Sequence, residues 1–303
     1  MKFNNLLLFG ISALLSWLFI SVIIPTLRQR LLDTPNSRSS HQVPTPRGGG
    51  LAFVVIGSIV HVLSSTEITR WIPILCIPLA FVGLIDDRKD IPAIWRYMVQ
   101  IITAVFLVAV GNLDMPLLLI IFMTFALTAI INFTNFMDGL DGLLAGCGVL
   151  LMGACSAWAL SGAIFGFLLW NWSPAKVFMG DVGSTFIGAV FGGLIMQQQT
   201  LDSLLTTALI GLPLFGDAFV CVLRRLCNGE RVFQAHRKHL FQRLNQAGWS
   251  HRTVASLYIS CVAVLLLARN TGNMSIFTFV LIGEVGLAVF LDQKVAAKFR
   301  AQN

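Results

Sequence analysis

Charge is what this chain has least of. Only 12% of its 303 residues are Asp, Glu, Lys or Arg, while 56% are hydrophobic. Soluble domains carry about a quarter charged residues, so a water-soluble fold is not expected. Internal repeats, Gly/Ser linkers and low-complexity tracts are also missing, which leaves a single bundle over residues 1–303. The six cysteines, at positions 76, 147, 155, 221, 227 and 261, have no paired metal-binding spacing and read as small apolar residues. Lys2 precedes an apolar stretch, but no small-residue cleavage site leads from it into a soluble domain, so a first span is expected there.

What fills the chain is apolar sequence in runs of bilayer-spanning length. Eleven spans are expected, at 5–24, 49–66, 71–85, 97–111, 115–131, 142–159, 161–171, 182–196, 203–223, 253–268 and 274–291. The run at 161–171 is the weakest. With the N-terminus outside, segments 25–48, 86–96, 132–141, 172–181, 224–252 and the C-terminal tail face the cytoplasm. They hold all of the 21 basic residues except Lys2, Arg70 and Arg269. Such a split is the positive-inside bias. The expected fold is an all-α polytopic membrane protein with a cytoplasmic C-terminus. Because the basic loops alternate with spans and form no separate basic domain, nucleic acid is not an expected partner.

Acids at span ends are costly and ask for a reason. Of 14 acids, six crowd three of the inner segments: Asp86, Asp87 and Asp90 in GLIDDRKD, Asp138 and Asp141 in NFTNFMDGLDG, and Asp181 in FMGDVGS. Brought together they repel unless something positive sits among them. A few hard carboxylate oxygens with open positions left for phosphate describe a magnesium site on a diphosphate substrate. Helical spacing places Asn132, Asn135 and Asp138, or Asp138 and Asp141, on one face. The glycines around Asp181 permit close backbone approach at a helix N-terminus, where an anion or the aspartate itself can sit. In the segment AHRKHLFQRLNQAG, an amphipathic helix at the membrane surface is expected, with Leu240, Phe241, Leu244 and Ala247 on one face and His236, His239 and Arg243 on another.

Five ordered motifs, PTPRGGG at 44–50, IDDRKD at 85–90, NFTNFMDGLDG at 132–142, VFMGDVGS at 177–184 and HRKHLFQRL at 236–244, closely resemble the polyprenyl-phosphate N-acetylhexosamine-1-phosphate transferases of glycosyltransferase family 4. The similarity covers most of the chain and is nearest to the enzymes that initiate O-antigen and enterobacterial common antigen synthesis. It implies a cytoplasmic-face site in a multi-pass protein of the bacterial inner membrane. There a phosphate oxygen of undecaprenyl (polyprenyl) phosphate attacks the sugar-proximal phosphorus of a UDP-HexNAc and UMP leaves.

By this resemblance Asp181 and Asn135, in preference to Asn132, hold Mg2+, with Mn2+ as a substitute. Phe178 stacks on uracil, and Asp141 with the backbone beside Gly142 reads it. Asp138 lies by the metal, and Asp86, next to Asp87, deprotonates or positions the acceptor. His236, Arg237, His239 and Arg47 contact phosphates or sugar. Asp217 supports the basic residues from within its span, whereas Glu284 is given no catalytic part. Membrane lipid surrounds the chain, and a homodimer is a further expectation. The pentapeptide-type enzymes carry consecutive histidines where this chain reads HRKH, which disfavours muramoyl-pentapeptide and leaves GlcNAc or a deoxy relative.

Two other classes remain in view. An intramembrane prenyltransferase would use Asp86, Asp87 and Asp90 as a DDxxD motif but leaves FMGDVGS and the histidine loop without a purpose. A secondary transporter would place its acids near the midplane and show two related halves; here the acids sit at span ends.

Overall fold

Backbone in an apolar run must satisfy its own hydrogen bonds, and each expected span becomes helical. The computed structural model describes residues 4–35, 40–41, 43–65, 68–89, 91–231, 234 and 236–299. Lys2, Arg38, Asp90 and Arg300 lie outside the described residues. Among the described residues the α-helices are α1 (Asn5–Arg30), α2 (Leu51–Ser64), α3 (Ile72–Asp86), α4 (Ala93–Ala109), α5 (Leu117–Phe136), α6 (Leu143–Ala154), α7 (Trp158–Asn171), α8 (Asp181–Met196), α9 (Leu201–Ile210), α10 (Leu212–Cys227), α11 (Leu240–Gln246), α12 (His251–Asn270) and α13 (Met274–Lys294). Between α1 and α2 a small antiparallel ribbon pairs β1 (Leu32–Asp33) with β2 (Thr45–Pro46).

Among the described residues five helical stretches are long and apolar enough to cross a membrane: α1, residues 68–86, α5, α12 and α13. Helices α2, α4, α6, α7 and α8 are apolar but shorter. The expected span at 203–223 is not one straight helix. It breaks between α9 and α10, which meet at 76°. The cause is local: Pro213 enters the first turn of α10, where its missing N–H costs nothing but where α9 cannot be continued straight through it.

The centre of the bundle is α8, whose residues 182–196 are all buried. A helix apolar all round belongs inside, and α8 packs mainly between α3 and α5. On the periphery α1 lies along α7. Small residues one turn apart permit this approach: a Cβ at Gly162 or Gly166 would stand 2.2 Å from the carbonyl oxygens of Phe9 and Ala13 respectively.

Polar contacts gather alternate helix ends at one end of the bundle. The α4 start meets the α3 end through Arg96 and Asp86, and Arg96 also reaches Asp181 at the α8 start. The α7 end meets the α6 start through Asn171 and Gly142. His251 at the α12 start meets Asp141, and Asp292 near the α13 end meets Arg224 near the α10 end. Residues from the expected segments 86–96, 132–141, 172–181 and 224–252 take part in these contacts.

The histidine segment departs from expectation. Only Leu240–Gln246 is helical, and α11 is not a surface helix with a solvated basic face. Phe241 and Leu244 are fully buried, and so, to within a few per cent, are His239 and Arg243. Burial of these polar groups is offset by partners from distant elements. Asp217 accepts from the Leu240 and Phe241 N–H groups at 2.7 and 3.1 Å and from the Tyr258 hydroxyl at 2.7 Å. Arg243 pairs with Asp292 and donates to the Ala297 carbonyl at 2.8 Å. Just upstream, Glu230 bridges buried Arg225 and Lys238 at 3.0 and 2.6 Å.

Candidate active site

Seven glycines and prolines of PTPRGGG and FMGDVGS lie in two segments that zip together by backbone bonds. Phe178 N–H donates to Pro46, and the N–H groups of Gly49 and Gly50 donate to Phe178 and Met179. The zipper carries Arg47, Phe178 and Asp181 into one polar cleft of about 400 Å³, lined also by His41, Asp87, Asp138, Asp141, Asn171, Gln242 and His251. The ring of His41 meets Phe178 edge-on with centroids 4.8 Å apart.

The expected helical face joining Asn132, Asn135, Asp138 and Asp141 does not form. Helix α5 stops at Phe136, and both aspartates lie in the turn that follows. Gly142 sits there at φ +74°, and its N–H donates to Asn171 Oδ1 at 3.0 Å. The Asp141 carboxylate accepts from the Ala175 N–H at 3.2 Å and stands 3.3 Å from His251 Nδ1. Burial acts upward on Asp141, but His251 and the Ala175 and Ser173 donors more than offset it and hold the carboxyl below its ordinary range.

The adjacent aspartates face different partners. Asp86 accepts from the Ile91 N–H at 2.7 Å and from Arg96 at 2.6 Å. Asp87 instead turns inward and accepts from the N–H groups of Asp181 and Val182 at 3.0 and 3.3 Å, capping α8 from another part of the chain. Burial pushes the Asp87 carboxyl up to about 6, against the pull of those donors and of Arg47. Burial, then the charges of Asp181, Asp87 and Asp141, push Asp138 up to about 8. Asp87, Asp138, Asp141 and Asp181 thus crowd one cleft, which Asp33 also lines, at electrostatic cost to Asp138.

A second cleft, of about 280 Å³, opens from the other side of Asp181 and is lined by Arg96, Tyr97, Gln100, Asn132, Asn135, Thr185, His236 and His239. Asn132 is committed across helices, donating to Gln100 at 2.6 Å and to the Thr128 carbonyl at 2.8 Å. Among the described residues Asn135 Oδ1 accepts a Ser184 hydroxyl at 2.7 Å. Burial first, then the neighbouring charges of His239, Arg225 and Lys238, bring His236 down to about 3, so its imidazole is neutral at physiological pH. Arg237 reaches Ser40 at 3.4 Å, on the rim of the first cleft. Asp181 and Gln242 line both clefts.

The donor set fits a hard divalent cation: carboxylates of Asp138, Asp141, Asp87 and Asp181, the first pushed up by burial and then by the charges of the other three, with the Asn135 amide oxygen on the far side. Sequence reading treated Arg96 only as a topological charge and gave no part to His251, Asn171, Gln242 or Asp292. The partners of His251, Asn171 and Asp292 are far along the chain, and no local spacing announces them.

Gly180 shows how tightly this is built. It has φ +74°, and a Cβ there would stand 2.3 Å from Asp87 Oδ2. Gly180→Ala therefore forces a strained backbone and displaces the α8 cap together. The expected cost is about 1–3 kcal/mol of stability, read as a lower melting temperature in detergent; an unchanged melting temperature would refute the cap's tightness.

The family model described as glycosyl transferase family 4 matches residues 70–199, which contain Asp86, Asp87, Asp138, Asp141 and Asp181. A probable undecaprenyl-phosphate N-acetylglucosaminyl 1-phosphate transferase of Bacillus subtilis is 30% identical over 96% of this chain and 93% of its own. A decaprenyl-phosphate N-acetylglucosaminephosphotransferase of Mycobacterium leprae is 29% identical over 96% and 92%. A phospho-N-acetylmuramoyl-pentapeptide-transferase of Synechococcus is 28% identical over 85% and 89%. With full-length similarity and the five motifs folded into one pair of joined clefts, the chain belongs to glycosyl transferase family 4.

Proposed function

We propose that this protein transfers a HexNAc-1-phosphate, GlcNAc or a deoxy relative, from a UDP-sugar to undecaprenyl (polyprenyl) phosphate at the cytoplasmic face of a bacterial inner membrane, releasing UMP and initiating a cell-envelope polysaccharide such as O-antigen. The observation that carries this reading is the meeting of two polar clefts at Asp181, one crowded with acids and bearing Phe178, the other lined by neutral His236 and by His239. Relatives named for polyprenyl-phosphate sugar-phosphate transfer support the reaction class.

Uracil lies on Phe178 near Asp141, and the diphosphate runs toward Asp181. The acceptor phosphate enters from the histidine side. Asp181 and Asn135 would hold Mg2+, which neutralises phosphate charge when bound. Asp87 keeps Asp181 in place through the α8 backbone, and Asp86 does so through Arg96. Asp138 stays close to the reacting phosphates, with Arg47 and Arg237 beside the diphosphate. Catalysis in such a site is chiefly positioning and electrostatics. His236 and His239 bind as hydrogen-bonding groups, and Asp217 acts behind them by fixing α11.

Incubating the membrane-embedded chain with a panel of UDP-HexNAc donors, undecaprenyl phosphate and magnesium is expected to yield UMP with at least one donor. Pyrophosphate released from a prenyl diphosphate, with no UMP from any UDP-sugar, would overturn the reading in favour of a prenyltransferase.

A further inference from the structure

The cysteines have no metal-binding spacing in sequence, yet folding brings one of them to two histidines. Cys221 lies on α10, one turn after Asp217, and offers its sulfur within 4.8 Å of ring nitrogens of His236 and His239, which lie equally close to each other. The two imidazoles face each other with centroids 4.9 Å apart. His239 is 3% exposed, and its Nδ1 has no hydrogen-bond partner, lying 3.8 Å from Asp217 Oδ1. Cys221 is itself buried.

One thiol and two imidazoles are a borderline-soft ligand set. It suits Zn2+ and is poorly matched to Mg2+, which takes oxygen. Metal–ligand bonds are about 2.0–2.3 Å, so three ligand atoms within 4.8 Å of one another can draw in around one ion, with water taking the fourth tetrahedral position. Asp217 stands beside His239 as the outer carboxylate that such histidines commonly have.

We propose that Cys221, His236 and His239 form an inhibitory site for a divalent transition ion of the zinc type, distinct from the carboxylate site. On binding, the Cys221 S–H bond breaks, the thiolate sulfur bonds the ion, and the proton leaves to solvent. Both histidines are then held toward α10 and withdrawn from the cleft they share with Asp181, so transfer stops. The inhibitory consequence rests on the function proposed above; the binding does not.

The test uses the purified full-length chain in detergent with saturating magnesium. Titration with Co2+ is expected to give a thiolate-to-cobalt charge-transfer band at one ion per chain, absent in Cys221→Ser and Cys221→Ala. Micromolar Zn2+ is expected to block UMP release, reversibly with a zinc-selective chelator. In either Cys221 variant the inhibitory concentration should rise about tenfold or more, with activity in zinc-free buffer unchanged. No band in the wild-type chain would overturn the site, as would equal zinc sensitivity in wild type and both variants. A band without inhibition of an active enzyme would overturn the regulatory half. A band in a chain that releases UMP from no donor would instead count against the proposed function and leave the site standing.

Discussion

Replacing Asp181 with Asn is expected to lower UMP release by about a thousandfold, the scale of removing a preorganised electrostatic element from a reaction that depends on positioning and charge. The change is nearly isosteric, and Asp87 holds the backbone N–H of residue 181 rather than its side chain, so the fold should survive. An unaltered melting temperature beside lost activity separates chemistry from collapse. The acids around Asp181, whose negative charge draws the cation to the cleft, predict how the metal requirement moves with pH. Asp138 and Asp87 are pushed up to about 8 and about 6. Protons therefore compete with the cation as pH falls through that window, and the magnesium concentration giving half-maximal rate should rise from pH 8 to pH 6. Retention of full activity by Asp181→Asn would remove the metal assignment altogether.

Asp217→Ala is expected to cost about 3–5 kcal/mol, the range for stripping the charged member from a buried polar network. Its two oxygens satisfy the first N–H groups of α11 and the Tyr258 hydroxyl, and the side chain is only 4% exposed. The loss leaves buried donors unpaired, so α11 should loosen and carry His236 and His239 out of register. Limited proteolysis within 228–250 should accelerate, and transfer should fall by about a hundredfold, a scale at which roughly 1 Å of misplacement suffices. Asp217→Asn keeps one acceptor oxygen and should recover part of both. Equal proteolysis of wild type and Asp217→Ala would show that the cap does not hold the segment.

Much of this architecture is legible in sequence because its cause is local. Apolar runs specify helices wherever water is excluded, and the acid-rich motifs mark the end of the bundle where the site forms. What escapes is any role set by a partner distant in the chain. Helix caps are ordinarily sought a few residues upstream, yet α8 is capped by Asp87, 94 residues before Asp181. The stripe of Leu240, Phe241 and Leu244 has the spacing of a lipid-surface helix, and only Asp217 and Asp292, from two other helices, make its burial affordable. The pair Asp86 and Asp87 looks like a duplicated charge, but one faces Arg96 and the other faces backbone, so neither can stand in for the other. The break after α9 has a local cause in Gly211 and Pro213, but the run around them is apolar throughout and its hydrophobicity alone reads as one span.

The meeting of the two clefts at Asp181 also has a consequence for ligand design. On the proposed function, a molecule filling only the Phe178 side, or only the histidine side, would compete with one reactant and leave the other doorway open. Joining two weak fragments by a linker that passes Asp181 makes the second engagement intramolecular, governed by effective concentration rather than by bulk supply. Avidity gains of about 10²–10⁴ become accessible without a single added contact, provided the tether matches the short path around one carboxylate.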